Sequence, residues 1–391
     1  MVNSIMSARP NILYICPPFE APILNGGGQR TVLLYRALST FCSLTPVVVS
    51  SVLFDNARQE GTKAWLGQEA QLVICGLSGG RVRITDMLTG KDAQIRFDEY
   101  DGIVFRHFQT YRMCGSPANR NLIVDTDDMP WHANYLLPSA TLRSRLSMLL
   151  SRGRTIAAYL ASLRKFRLLF VAKREDLKWT GGRGTVLPNI PWQIPPAVVT
   201  SRVSGAASIL AVAGWKWQPN VDGMRWFLRE CWPAITKMHP QVELVLAGDI
   251  APETGDEWRR IPRVKVLGRV DDVAGHYAKS AFTIAPIFAG GGTNIKVLES
   301  LGFQRTCVAT PHAMRGHAGI LRNEDSLLVA LSAGQFTAAV KRLLSDRELS
   351  KTLADRGRQL IMQHYSRDAF DRMCLDAVSA ALVSTDAGKA A

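Results

Sequence analysis

The feature that most constrains this chain is a pair of strand–helix series divided by a proline-rich stretch. The first series reads NILYIC (11–16), a helix from about Gln29, TPVVVS (45–50), AQLVICGL (70–77), GIVFRH (102–107), NLIVD (121–125), a basic helical region and RLLFVA (167–172). Most of these runs are short and almost wholly apolar, as parallel strands buried on both faces must be. Between about Gly79 and Glu99, RVRITDMLTGKDAQIRF alternates and contains a Thr-Gly turn, which predicts an antiparallel hairpin. PNIPWQIPPAVVTSRVSG (188–205) has four prolines and no helical period, so it reads as a linker between domains.

The second series reads SILAVAG (208–214), a helix from Pro219 to about Ile235, VELVLAG (242–248), VKVLGRV (264–270), a short helix, AFTIAPI (281–287), a helix after a glycine run, TCVAT (306–310) and SLLVAL (326–331). Three helices, roughly 334–345, 348–363 and 367–382, close the chain. Alternation in both halves predicts two doubly wound α/β domains. Ligands of such folds sit outside the carboxyl ends of the strands, so the loops there are the places to search.

Composition narrows the class. A chain of 391 residues exceeds one ordinary core, and 47% hydrophobic with 20% charged residues describes a folded protein. No run reaches the roughly 18 apolar residues of a membrane span, and MVNSIMSARPNILYIC lacks the layout of a signal peptide. A cytoplasmic location is therefore expected. The seven cysteines are scattered and form no CxxC pair, which predicts reduced, buried thiols and neither a disulfide framework nor a zinc site.

The net charge of +14 predicts attraction to something anionic. It is unevenly spread, with nine basic and no acidic residues from Thr141 to Arg174. Leu142, Leu146, Leu149, Leu150, Ile156, Tyr159, Leu160 and Leu163 recur there at helical spacing. Two readings stand: a core-packed helix with a solvated basic face, or a helix lying on an anionic bilayer. Nucleic acid is not expected, because no recognition motif is visible and the basic residues lack interleaved aromatics.

Two glycine runs stand before predicted helices. Asn25-Gly26-Gly27-Gly28 fits neither a Walker loop nor a dinucleotide fingerprint, and it is either a flexible turn or a place where amides meet an anion or a sugar. In FAGGGTNIKVLES (288–300), a cap at Thr293 would put Lys296 and Glu299 on one helix face, three apart. Amides and lysine suit phosphate oxygens, and a carboxylate suits vicinal ribose hydroxyls. A surface ion pair between Lys296 and Glu299 is the alternative.

The order of these pieces resembles the GT-B glycosyltransferases, specifically the retaining group called glycosyltransferase family 4. AVAGWKWQPNVDGMRWFLRECWPAI is similar to that family's first C-domain strand, loop and helix, and VELVLAGD, VKVLGRVDDVAGHYAKSAFTIAPI and GGGTNIKVLESLGFQRTCVAT follow in its order. The resemblance implies two Rossmann-like domains facing a cleft, with C-terminal helices packing back toward the N-domain. Its domains would be an acceptor domain at 1–190, a linker at 191–205, a donor domain at 206–365 and a terminal helix and tail at 366–391. It implies retaining transfer of a sugar from a nucleotide donor, UDP- or GDP-linked, to a glycan or lipid-linked acceptor in glycoconjugate assembly, without a metal or other cofactor.

Residue by residue, the resemblance places Glu299 on the ribose, and Lys296, Lys216, Gly290, Gly291, Gly292, Thr293 and Asn294 about the diphosphate. It assigns Gly214 to close approach of the donor, and Gly27 and Gly28 to the cleft. In NLIVDTDDMPWH, Asp127 or His132 would orient the acceptor hydroxyl. This chain departs from the pattern at Gly291, where relatives usually carry a glutamate eight positions before Glu299, and it keeps only Lys216 of a common Arg and Lys pair. The GGGT form implies that backbone amides face the sugar. A non-transferase on this architecture, such as a nucleotide-sugar epimerase, is the other enzyme reading, and a place on the membrane's inner face goes with a lipid-linked acceptor.

Overall fold

The computed structural model describes residues 9–19, 26–78, 81–119, 121–131, 142–196 and 207–383. The chain divides into two compact units, one of Met1–Asn189 with Arg367–Ala391 and the other of Ile190–Ser366.

The strands of the first unit are β1 (Asn11–Cys16), β2 (Ser43–Ser50), β3 (Gln71–Ser78), β4 (Arg81–Asp86), β5 (Gly102–Arg106), β6 (Leu122–Asp127), β7 (Phe166–Val171) and β8 (Gly184–Val186). They form one sheet in the order β4-β3-β2-β1-β5-β6-β7-β8. All neighbours are parallel except β3 and β4. The antiparallel hairpin is therefore β3–β4. The turn at Thr89-Gly90 does form, with φ 67° at Gly90, but the chain beyond it keeps only a Thr85–Asp92 bridge. In β1, Ile12, Leu13, Tyr14 and Ile15 are all fully buried, which explains why the run shows no polar alternation. Its helices include α1 (Gly26–Ser39), α2 (Asn56–Leu66), α3 (Phe108–Met113) and α4 (Leu142–Ser162). Asp55 caps α2 by accepting from the Arg58 amide at 2.8 Å.

The second unit holds β9 (Ser208–Val212), β10 (Glu243–Ala247), β11 (Val264–Gly268), β12 (Phe282–Ala285), β13 (Cys307–Ala309) and β14 (Leu328–Val329). Their order, β11-β10-β9-β12-β13-β14, is parallel throughout. Helices α5 (Gln218–Glu230), α6 (Trp232–Met238), α7 (Pro252–Arg259), α8 (Ala274–Lys279) and α9 (Ile295–Gly302) connect them, and α10 (Ala333–Ser345) and α11 (Arg347–His364) follow β14. The single helix expected from Pro219 to Ile235 is two, because Pro233 cannot donate within a continuous helix and instead sits in the first turn of α6. Gly223 lets α5 press on the strand layer, since a Cβ there would stand 1.8 Å from the Pro286 carbonyl oxygen.

Helix α12 (Arg367–Val383) returns to the first unit and packs on α1, burying Phe370, Cys374 and Val378 completely. All seven cysteines are buried and unbonded. Each sheet reverses its strand order at one place, between β1 and β5 and between β9 and β12. Those reversals are where an open α/β sheet binds its ligand.

Candidate functional site

At the reversal in the second unit, the chain leaves β9 through Gly214 and β12 through the glycine run. Gly214 is exposed, a Cβ there would meet nothing within 4 Å, and its carbonyl accepts from the Asn220 side chain at 2.9 Å. Asn220 is itself buried in the first turn of α5, and its Oδ1 accepts from Lys296 Nζ at 2.7 Å. One asparagine thus ties the loop after β9 to the start of α9. Gly290 and Gly292 have φ of 106° and 72°, the left-handed region that explains their residue type, while Gly291 is exposed. The Gly290 carbonyl accepts from Arg315 Nη2 at 2.7 Å and lies 3.2 Å from His312 Nε2. The loop is thereby held by its oxygen side.

Helix α9 begins at Ile295, with Asn294 at the capping position and no side-chain capping bond, so Thr293 is not the cap. Lys296 and Glu299 take different partners. Tyr277 donates its hydroxyl to Glu299 Oε2 at 2.9 Å, and its ring stacks on Phe303 at 4.5 Å. Burial pushes Lys296 down to about 8, against the opposing pull of Cys307 and Glu299. Burial also raises Glu299, opposed by the Tyr277 hydroxyl and Lys296. A solvated surface ion pair is therefore not what this helix carries. Lys216 lies outside the group: its ammonium meets Asp249 at 2.9 Å, with both side chains more than half exposed. His317, fully buried with its ring edge toward Tyr365, is pushed down to about 4 by burial, against the Asn294 backbone, and stays neutral under the loop.

In the first unit, Gly26, Gly27 and Gly28 form the opening turn of α1 and not a loop before it. The Gly27 carbonyl accepts from Thr31 Oγ1 at 2.9 Å and Arg106 Nη2 at 3.4 Å, and Gly28 is buried. Beside them lies a buried charge cluster. Asp125, fully enclosed, accepts from Arg30 Nη2 at 2.8 Å and Arg106 Nη1 at 2.9 Å. Burial would raise its carboxyl, but the two guanidiniums hold it below the usual range. Asp127 accepts from Asn189 Nδ2 at 2.9 Å and has φ 54°, rare for a residue with a side chain. Asp128 does not start a helix; it pairs with Lys173, which also lies 3.5 Å from Asp176.

His107, just past β5, is a second residue in the left-handed region, at φ 69°. Burial and then Arg106 lower its pKa, against Asp127 and Asp125, so it remains a neutral imidazole. His132 lies outside the described residues. Asn220, Tyr277, His312, Arg315 and His107 were not singled out from the sequence. Only Asn220 left a signal there, inside the WQPNVDG string.

Residues 206–346 match the family described as Glycosyl transferases group 1, so the second unit carries a domain of that kind. No curated protein matches the sequence. Solved structures resemble the whole chain at low identity. Anabaena HepE in complex with UDP shares 14% identity with a TM-score of 0.65, over 95% of this chain and 100% of that one. TarM, of S. aureus, shares 9% identity with a TM-score of 0.66, over 95% and 99%. The sucrose-phosphate synthase of Thermosynechococcus elongatus shares 13% identity with a TM-score of 0.62, over 98% and 100%. The fold is GT-B, with two Rossmann-like domains.

Proposed function

We propose, for a chain that carries a glycosyl transferase group 1 domain in a GT-B fold, that it moves a sugar from a nucleoside-diphosphate donor to an acceptor hydroxyl with retention at the anomeric carbon. The observation that carries this reading is the group at the β9–β12 reversal. Lys296, Asn220 and Gly214 form one bonded chain there, beside a glycine loop in the left-handed region. A half-buried ammonium that donates, among the described residues, to a neutral amide has charge to give to a leaving diphosphate. The amides of Gly290–Thr293 would add to it, so the departure needs no metal. Glu299, already accepting from Tyr277, has the chemistry to accept from ribose hydroxyls as well.

Asp127 and the neutral His107 supply an acceptor and an imidazole at the carboxyl ends of β5 and β6, suited to orienting the incoming hydroxyl. His132 is retained as a candidate for the same task. Lys216 is proposed as a diphosphate ligand only after release from Asp249. Retention is supported by the resemblance to family 4 on the residues quoted above. We place the reaction in the cytoplasm, on the way to a polysaccharide, lipopolysaccharide or other glycoconjugate. The structural relative from Anabaena was solved in complex with UDP, which puts UDP first among the donors to test. A thermal-shift series with UDP, GDP, TDP and ADP is expected to show one nucleotide raising the midpoint, and a flat response to all four overturns the reading.

A further inference from the structure

Helix α4 is 21 residues long, yet Tyr159 is its one fully buried side chain among those described. Its C-terminal half seats Ile156, Ala158 and Tyr159 against the first unit's core. The other side is apolar and uncovered: Leu146, Leu149, Leu150 and Leu160 are 53%, 58%, 64% and 44% exposed. At about 100° per residue, these four with Gly153 and Ala157 fall within one arc of about 100°. Arg143 and Arg154 lie just beyond one edge of that arc, and Arg152 lies beyond the other. The helix contains no acidic residue. An open groove of about 520 Å³ runs along the first edge, lined by Arg112, Arg143 and Arg154 beside Leu146 and Leu150.

We infer that α4 is an in-plane membrane anchor, which sinks its leucine stripe to the acyl boundary of an anionic bilayer while its arginines meet the lipid phosphates. Three observations select this occupant. The exposed stripe is of leucines, with no exposed aromatic among the described residues of α4 to stack on bases. A second copy of the helix would bring arginine to arginine with no carboxylate to relieve them. Arginines that flank an apolar stripe on both sides match a bilayer surface, where long cationic side chains reach back to the headgroups. Among the described residues no helix is long and apolar enough to cross a membrane, so lying on the surface is the mode that fits. The inference deepens the lipid-linked acceptor expectation but stands apart from the donor site, which lies in the other unit.

Co-sedimentation of the full chain with two sorts of vesicle tests it: phosphatidylcholine alone, and phosphatidylcholine with phosphatidylglycerol. The protein is expected to pellet with the anionic vesicles, to stay in solution with the neutral ones, and to be released by salt. Arg143→Gln with Arg154→Gln should weaken binding about fivefold per arginine removed. Leu146→Gln, Leu149→Gln and Leu150→Gln together should weaken it by tenfold or more, with an unchanged unfolding midpoint because all three side chains are exposed. No binding to anionic vesicles at low salt overturns the proposal, as does full binding by the leucine variant. Sedimentation velocity supplies the remaining outcome. A concentration-dependent dimer that the leucine variant abolishes, without vesicle binding, would assign the stripe to self-association instead. A nucleotide-induced midpoint shift that survives in the leucine variant keeps the donor reading separate from this one.

Discussion

The two sheet reversals each gather ionisable groups, fully buried for the most part in the first and half-buried in the second, and they treat charge in opposite ways. In the first unit, Arg30 and Arg106 face Asp125 and Asp127, so two cations meet two anions and Asn189 completes the set. In the second, Lys296 and Glu299 are each bonded to a neutral group, Asn220 and Tyr277, and burial shifts each toward its uncharged form. Paired charges hold a structure in place. Charges bonded to neutral groups are available to a ligand of opposite charge.

The comparison breaks most sharply at Arg30→Met, which strands Asp125 beside one guanidinium in a fully buried site. Urea denaturation should show a loss of about 3–5 kcal/mol, because an uncompensated charge stays behind. A loss below about 1 kcal/mol would mean that the cluster does not bear on stability. Lys296→Ala should do the reverse, leaving the unfolding midpoint level or raised at pH 7 while kcat falls about 100-fold. Unchanged turnover would remove Lys296 from the chemistry.

The third test is pH. Lys296 titrates near 8 in the folded protein, below the usual lysine value of about 10.4. Its proton is present below pH 8 and is lost as pH rises through 8, so affinity for a nucleoside diphosphate should fall by up to tenfold per pH unit above that point. Over the same interval the unfolded chain holds the extra proton, so this group's contribution makes the unliganded fold more stable as pH rises. Affinity measured by calorimetry that stays flat from pH 7 to 9.5 would contradict the assignment. The smallest effect is expected from Tyr277→Phe, which removes one hydrogen bond to Glu299 worth about 1 kcal/mol. Donor KM should rise about fivefold with kcat nearly constant.

The strand layer was legible because buried parallel strands write themselves as short apolar runs, and NILYIC matches β1 from end to end. The three closing helices were legible through their periodicity. Short elements were not: Gly184–Val186 has too few residues to show a pattern, and PETGDEWR drew no assignment although its Trp258 is buried in α7. The helix start at Gly26 was missed because glycine is a poor helix former, and here it is tolerated in the first turn.

The site divides the same way. Lys296, Glu299 and the glycines are adjacent in sequence and could be grouped from it. Asn220 lies 76 residues from Lys296, and Arg30 lies 95 from Asp125, so only the fold joins them. The left-handed backbone of His107 and Asp127 leaves no trace in residue type, since histidine and aspartate seldom need it.

Helix α12 gives the fold a temporal consequence. It covers α1, and Arg367 donates to the Leu33 carbonyl, yet it is made after the whole second unit. During synthesis the unit begun first is therefore completed last, and until then the side of α1 that α12 covers stands open.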